Sequence, residues 1–187
     1  TEDVRIMGEK MDHLNNIVEQ ILTFARNAEP QFKPSDVNKI INDLRILVRR
    51  KFAQQKVVLN IQLAENLPEA KADEQQLSQV FLNLTLNALE AMPNGGELKI
   101  KSSSTQLQKN KNKVTNIQIE FSDTGSGMNS ELRKKAFTSL LNSSKPGGTG
   151  IGLAIVNRII ESHGGEIKIR PNVKGTTFSV YIPIFHN

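Results

Sequence analysis

The sequence predicts an α+β chain: a two-layer α/β sandwich, its sheet mixed and mostly antiparallel with helices on one face, preceded by a long N-terminal helix. Three observations predict it. Helical and alternating apolar periods are intermixed along residues 35–187 rather than segregated into blocks. The alternating runs are short and bounded by polar or glycine-rich turns, which suits antiparallel pairing. Residues 3–27 carry an unbroken heptad seam, whereas the 187 residues as a whole suffice for one domain of about 150 residues plus an appendage.

Each element has a local reason. Val4, Met7, Met11, Leu14, Val18, Ile21 and Ala25 step by three and four, the seam of a coiled coil or bundle. Ile17, Leu22 and Phe24 widen that face in the manner of a four-helix bundle. Residues 27–34, with Pro30 and Pro34, read as a linker. Ser35 and Asp36 open a second helix with Val37, Ile40, Ile41, Leu44, Leu47 and Val48 on one face, running to about Gln55. Val57, Leu59, Ile61 and Leu63 alternate as a strand. Asp73 can N-cap a third helix through Ala91, which Pro93-Asn94-Gly95-Gly96 stops. Leu98–Ser102 and Val114–Phe121 read as strands joined by a polar loop. A short helix over Ser130–Ala136 and a longer one over Gly150–His163 follow. Glu166–Arg170 and Thr176–Pro183 close the chain as a hairpin around Asn172–Gly175.

Composition excludes several classes. Zero cysteines rule out disulfides and thiolate metal sites, and His13, His163 and His186 are too scattered for a local histidine cluster. No apolar run spans a bilayer and no signal-peptide pattern opens the chain, so a cytoplasmic segment without membrane contact of its own is expected. The net charge is +5, with 4 basic and 6 acidic residues in 1–34 against 20 and 13 in 35–187. The basic clusters lack interleaved aromatics, and with one tyrosine and no tryptophan a nucleic-acid stacking platform is not expected.

Four motifs carry chemistry. Within Gln79–Ala91, Asn83, Asn87 and Glu90 fall at i, i+4 and i+7, a polar stripe on an otherwise apolar helix. Buried asparagines are costly unless their hydrogen-bonding capacity is filled. Either neighbouring backbone fills it, or a magnesium ion with phosphate and water ligands does; the spacing alone leaves both open. Asp123-Thr124-Gly125-Ser126-Gly127-Met128 follows a strand, so that an aspartate there could accept from an exocyclic amine while the glycines admit a flat ring. Lys145-Pro146-Gly147-Gly148-Thr149-Gly150-Ile151-Gly152-Leu153 feeds glycines into a helix N-terminus, an anion site by its unpaired N–H groups. Its spacing is neither a P-loop nor a dinucleotide fingerprint. Lys145 could act as a mobile cation on a terminal phosphate. Last, Gly175-Thr176-Thr177-Phe178 starts the final strand with hydroxyls that could bond a purine edge.

In this order and spacing the motifs resemble the N, G1, G2 and G3 boxes of the GHKL (Bergerat) ATP-binding fold, and specifically the catalytic domain of bacterial two-component sensor histidine kinases. The resemblance covers about residues 35–187. Residues 1–34 are similar to the second helix of that family's dimerisation and phosphoacceptor domain plus its linker. It implies that Asn87 holds magnesium, Asn83 lies near the phosphates, Asp123 binds the adenine amine, and Gly125 and Gly127 shape the adenine pocket. It places Lys145 and the backbone of Gly148, Thr149, Gly150, Ile151, Gly152 and Leu153 in the lid and phosphate site, and adds Thr177 to the nucleotide contacts. His163, in Ser162-His163-Gly164-Gly165, is then structural. Two departures stand out: His13 is followed by Leu14-Asn15-Asn16 instead of the acceptor box, and the F box reads Phe137-Thr138-Ser139-Leu140-Leu141 without its proline and two of its aromatics.

The implied function is transfer of the γ-phosphate of Mg·ATP to a histidine on a dimerisation helix outside this sequence, for relay to a response-regulator receiver domain. The acceptor segment would come from the same or a second copy of the parent chain, and anchoring of that parent at the inner face of the plasma membrane is compatible with this reading. The alternatives are a clamp ATPase of the same superfamily, an anti-sigma-type serine kinase, and a degenerate nucleotide-binding dimerisation module. A clamp ATPase needs a glutamate base where this chain has Asn83, and an amide accepts no proton.

Overall fold

The computed structural model describes Met7 and residues 29–109, 112–137 and 151–185. The predicted N-terminal helix, His13, most of the F box, Lys145, Gly148, Thr149 and Gly150 lie outside the described residues. So does the side chain of Ile151.

Five strands form the main sheet in the order β2 (Val57–Gln62), β4 (Gly96–Lys109), β5 (Asn112–Asp123), β7 (Thr176–Pro183), β6 (Glu166–Pro171). Only β2 and β4 run parallel; every other pairing is antiparallel. Helices α1 (Val37–Gln55), α2 (Glu74–Ala91) and α4 (Ile151–Ser162) pack on the sheet, with α2 between the other two, and the short α3 spans Ser130–Lys135. Leu98, Ile100, Ile117, Ile119, Phe121, Phe178, Val180 and Ile182 bury one sheet face against Leu77, Val80, Phe81, Leu84, Ile155, Val156 and Ile160. The rings of Phe81 and Phe121 meet across this interface at 5.5 Å. This is the two-layer α+β sandwich expected from the sequence.

The helix starts are set by the side chains that the spacing suggested. Asp36 caps α1 by accepting from Lys39 N at 3.1 Å. Asp73 caps α2 through Gln75 N and Gln76 N. Past the end of α1, Lys56 adopts a left-handed φ of 58°. Gln55 Nε2 crosses to the last turn of α2, donating to Leu89 O and Met92 O.

Two features differ from the sequence expectation. The segment between Ser102 and Val114 is not a loop: β4 and β5 continue as a ribbon past Leu107↔Val114 to Lys109↔Asn112, beyond the reach of β2 and β7. The described side chains of this extension, Ser103–Leu107, Val114 and Thr115, are half-buried or exposed and join no core, so apolar alternation is not needed there and the Ser, Thr and Gln residues hid the strand. The linker stretch ends in a strand: β1 (Lys33–Ser35) pairs antiparallel with β3 (Ala70–Ala72). Ala70 in turn bridges Ile184, and Phe185 N donates to Glu69 O, which ties the C-terminal end to the same corner. Three-residue strands are too short to show a period.

Candidate functional site

The site is built where the C-terminal half of α2 meets the ends of β5 and β7. The helix runs apolar toward the sheet along Leu77, Val80, Phe81, Leu84 and Ala88, and this burial fixes its rotation. Asn83 and Asn87 consequently lie together on one flank, one helical turn apart. Asn83 is 9% exposed, and the Nδ2 atoms of both asparagines are buried without a hydrogen-bond partner among the described residues. Glu90, the third member of the stripe, is exposed. The neighbouring-backbone explanation for the asparagine pair therefore fails for these amide groups. Two unsatisfied buried amides on one flank fit an external polar group, because each amide offers a donor for a phosphate oxygen and a hard neutral oxygen for a magnesium ion. Among the described residues no trio of His, Cys, Asp or Glu is placed to hold a metal, and the asparagine oxygens are hard neutral donors of the kind a phosphate-bound magnesium takes.

Asp123 ends β5 and is 3% exposed. Its Oδ1 accepts from Gly125 N at 2.9 Å and from Thr176 N at 3.3 Å, which holds the carboxylate between the glycine loop and the start of β7. The loop is pressed onto the asparagine helix. Ser126 N donates to Ala91 O at 3.1 Å, and a Cβ at Gly125 would lie 2.6 Å from that same carbonyl. Gly125 is thus required by close approach, which links the aspartate rigidly to the helix carrying Asn83 and Asn87. Gly127 needs its hydrogen side chain for another reason, a φ of +72°.

One predicted residue, Thr177, changes standing. Thr177 does not join Asp123. Its register partner is Ser122, the two hydroxyls bond at 2.8 Å, and successive residues on a strand face opposite ways, so Thr177 sits on the sheet face away from the helices. Thr176, buried and donating its amide to Asp123, occupies the position assigned to its neighbour. Gly175, which the sequence placed in the fourth motif without a role of its own, packs directly against Asp123. Its φ is +106°, and a Cβ there would fall 2.1 Å from Asp123 O and 2.6 Å from Asp123 Oδ1. The signal was its place between a predicted hairpin turn and the threonine pair.

Gly152 and Leu153 lie in the first turn of α4, where N–H groups have no intrahelical partner. Among the described residues a Cβ at Gly152 would meet no atom within 4 Å, so their packing does not demand this glycine. His163 is structural in the described fold: Nδ1 donates to Ile159 O at 2.7 Å and Nε2 accepts from Asp73 N at 3.1 Å. Burial lowers its pKa from the ordinary histidine value, against the opposing pull of its Ile159 bond and of Asp73. No helix among the described residues is long and apolar enough to cross a membrane.

Residues 72–186 match the family described as histidine kinase-, DNA gyrase B-, and HSP90-like ATPases. The sensor histidine kinase ZraS of Escherichia coli K12 is 30% identical over 181 residues, covering 96% of this chain and 37% of ZraS. The chain therefore spans little more than a third of that relative's length. The catalytic domain of the histidine kinase ThkA superposes with a TM-score of 0.71 at 27% identity, over 82% of this chain and 96% of that domain. ThkA in complex with the response regulator protein TrrA gives 0.79 at 26% identity, over 96% of this chain and 50% of that one. An asparagine pair on the central helix, a buried aspartate clamped to that helix by glycines, and these relatives agree: the chain belongs to the histidine kinase-, DNA gyrase B- and HSP90-like ATPase family, as an ATP-binding domain of the two-component kinase kind.

Proposed function

We propose that this chain binds Mg·ATP and supplies the kinase half of a sensor histidine kinase, transferring the γ-phosphate to a histidine on a dimerisation helix outside this sequence. Asp123 accepts the adenine amine, with Thr176 and Gly175 holding the carboxylate in place. The flank of Asn83 and Asn87 faces the triphosphate. Asn87 is the candidate magnesium ligand, and the ion, when bound, neutralises phosphate charge. Lys145, the glycines from Gly148 to Gly152, and Thr149, Ile151 and Leu153 are assigned on this reading to the lid and phosphate site. Transfer of this kind rests on positioning and charge neutralisation rather than on a protein nucleophile, which suits a set of amides, glycines and one lysine. The observation that carries the reading is the pair of buried, unsatisfied amides at Asn83 and Asn87 beside a glycine loop anchored to Asp123.

The receiver domain of a response regulator is the proposed downstream partner, and the parent's acceptor helix the immediate one. A cytoplasmic location follows from that relay. Calorimetric titration with ATP, with and without magnesium, tests the reading. Saturable binding strengthened by magnesium and lost in Asp123→Asn supports it; no binding by the folded chain refutes it.

A further inference from the structure

We infer that His163 is a positioning residue for the nucleotide site, the pin of a latch through which the segment entering from the N-terminal side sets nucleotide affinity. The inference rests on the nucleotide-binding reading and extends it to a corner of the fold opposite the asparagine–aspartate end of α2.

Three elements converge there. His163 closes the C-terminal end of α4 and bonds back to Ile159 O, four residues earlier, at 2.7 Å. Its other nitrogen accepts from the backbone N–H of Asp73 at 3.1 Å. Asp73 is the N-cap of α2, its Oδ1 taking Gln75 N and Gln76 N. The other carboxylate oxygen of Asp73 accepts from Gln31 N at 2.9 Å, forty-two residues away in sequence. Beside it, Phe32 packs edge-on against the His163 ring at 5.1 Å, with Lys71 Nζ 5.7 Å from the Phe32 centroid. Lys33 pairs with Glu74 in the first turn of α2, and Lys33–Ser35 pairs with β3.

One node therefore joins the two helices that flank the nucleotide site with the chain that arrives from the heptad segment. Helix α2 carries Asn83 and Asn87; α4 follows directly on the glycine run. Because an α-helix is stiff along its axis, a shift at its capped end moves side chains about three to four turns away. The bonds are directional. A neutral imidazole with its proton on Nδ1 donates to Ile159 and accepts from Asp73, and no apolar side chain reproduces that pair. Phe32 is 42% exposed, so burial in the domain alone does not account for its place against the histidine. Undocking residues 31–35 removes one partner from Asp73 and the ring contact from His163 together, which couples the incoming segment to the separation of α2 and α4.

The test uses the full chain and the non-hydrolysable analogue AMPPNP with magnesium, titrated calorimetrically at a temperature where every variant is folded by circular dichroism. His163→Phe keeps the ring and removes both hydrogen bonds, and should weaken binding by about three- to tenfold. His163→Gln retains an acceptor for Asp73 N–H and should recover most of the loss. Phe32→Ala, on the surface and remote from the nucleotide, should also weaken binding, and the double variant His163→Phe/Phe32→Ala should lose less than the product of the single losses. Unchanged affinity in Phe32→Ala, or equal losses in His163→Phe and His163→Gln, would overturn the latch while leaving nucleotide binding standing. Phe32→Ala keeps the idea testable if His163→Phe does not fold. A parent chain that fails to bind AMPPNP would overturn the functional reading itself, and the latch with it.

Discussion

Replacing Asp123 by asparagine and by alanine separates what this carboxylate does for the fold from what it does for a ligand. In the fold, one oxygen accepts from Gly125 N at 2.9 Å and Thr176 N at 3.3 Å in a site 3% exposed. Asparagine keeps an oxygen for both N–H groups and loses only their charge assistance, about 1 kcal/mol in total. Alanine leaves both N–H groups unpaired, Thr176's buried and Gly125's half-buried, at about 1–3 kcal/mol each. For a domain of this size about 1 kcal/mol moves Tm by about 2–4 °C, so Asp123→Asn should melt within about 4 °C of the parent and Asp123→Ala lower by about 5–20 °C. Nucleotide binding should respond differently. A carboxylate accepting from an adenine amine contributes about 1.5–3 kcal/mol, and its loss weakens binding by about 10- to 150-fold in both variants. Thermal melts followed by circular dichroism and ATP titrations check the two halves. Wild-type affinity in a folded Asp123→Asn variant would move the adenine site elsewhere, and equal melting of the two variants would refute the hydrogen-bond argument.

Gly175→Ala places a Cβ 2.1 Å from Asp123 O at a φ of +106°, and the strain and overpacking, about 2–5 kcal/mol together, should lower Tm by about 10 °C and impair ATP binding. Thr177→Val should leave ATP affinity within about twofold, because Thr177 lies on the far sheet face with Ser122. The chain should not label itself with radioactive ATP, since His13 lacks an acceptor box; an acceptor-helix peptide added in trans should gain acid-labile phosphate, and label on His13 would overturn the assignment. His163 titrates below its ordinary value of about 6.5, so the unfolded chain takes up the proton first as pH falls; the parent should lose stability below about pH 6.5 more steeply than His163→Phe, as pH-dependent melts would show.

The sequence by itself determined most of the secondary structure and the chemical inventory of the site. Asp36 and Asp73 cap the helices at the positions their spacing indicated, and β7 spans Thr176–Pro183 as its alternation indicated, because caps and periods are local properties of a chain. The asparagine stripe and the Asp-x-Gly-x-Gly run were legible for the same reason. Register and close approach were decided only by the tertiary structure. Thr177 and Thr176 are equivalent in composition, and pairing of β7 with β5 is what turns one toward Asp123 and the other away. Gly175 reads as an ordinary turn until Asp123, 52 residues earlier, is brought against it. The latch at His163 joins residues 31, 73 and 163, and the far part of the β4–β5 ribbon pairs largely polar residues beyond the ends of β2 and β7, so neither leaves a pattern in any one stretch. Contacts between distant segments depend on how whole layers pack, and that packing is a property of the folded chain rather than of any window along it.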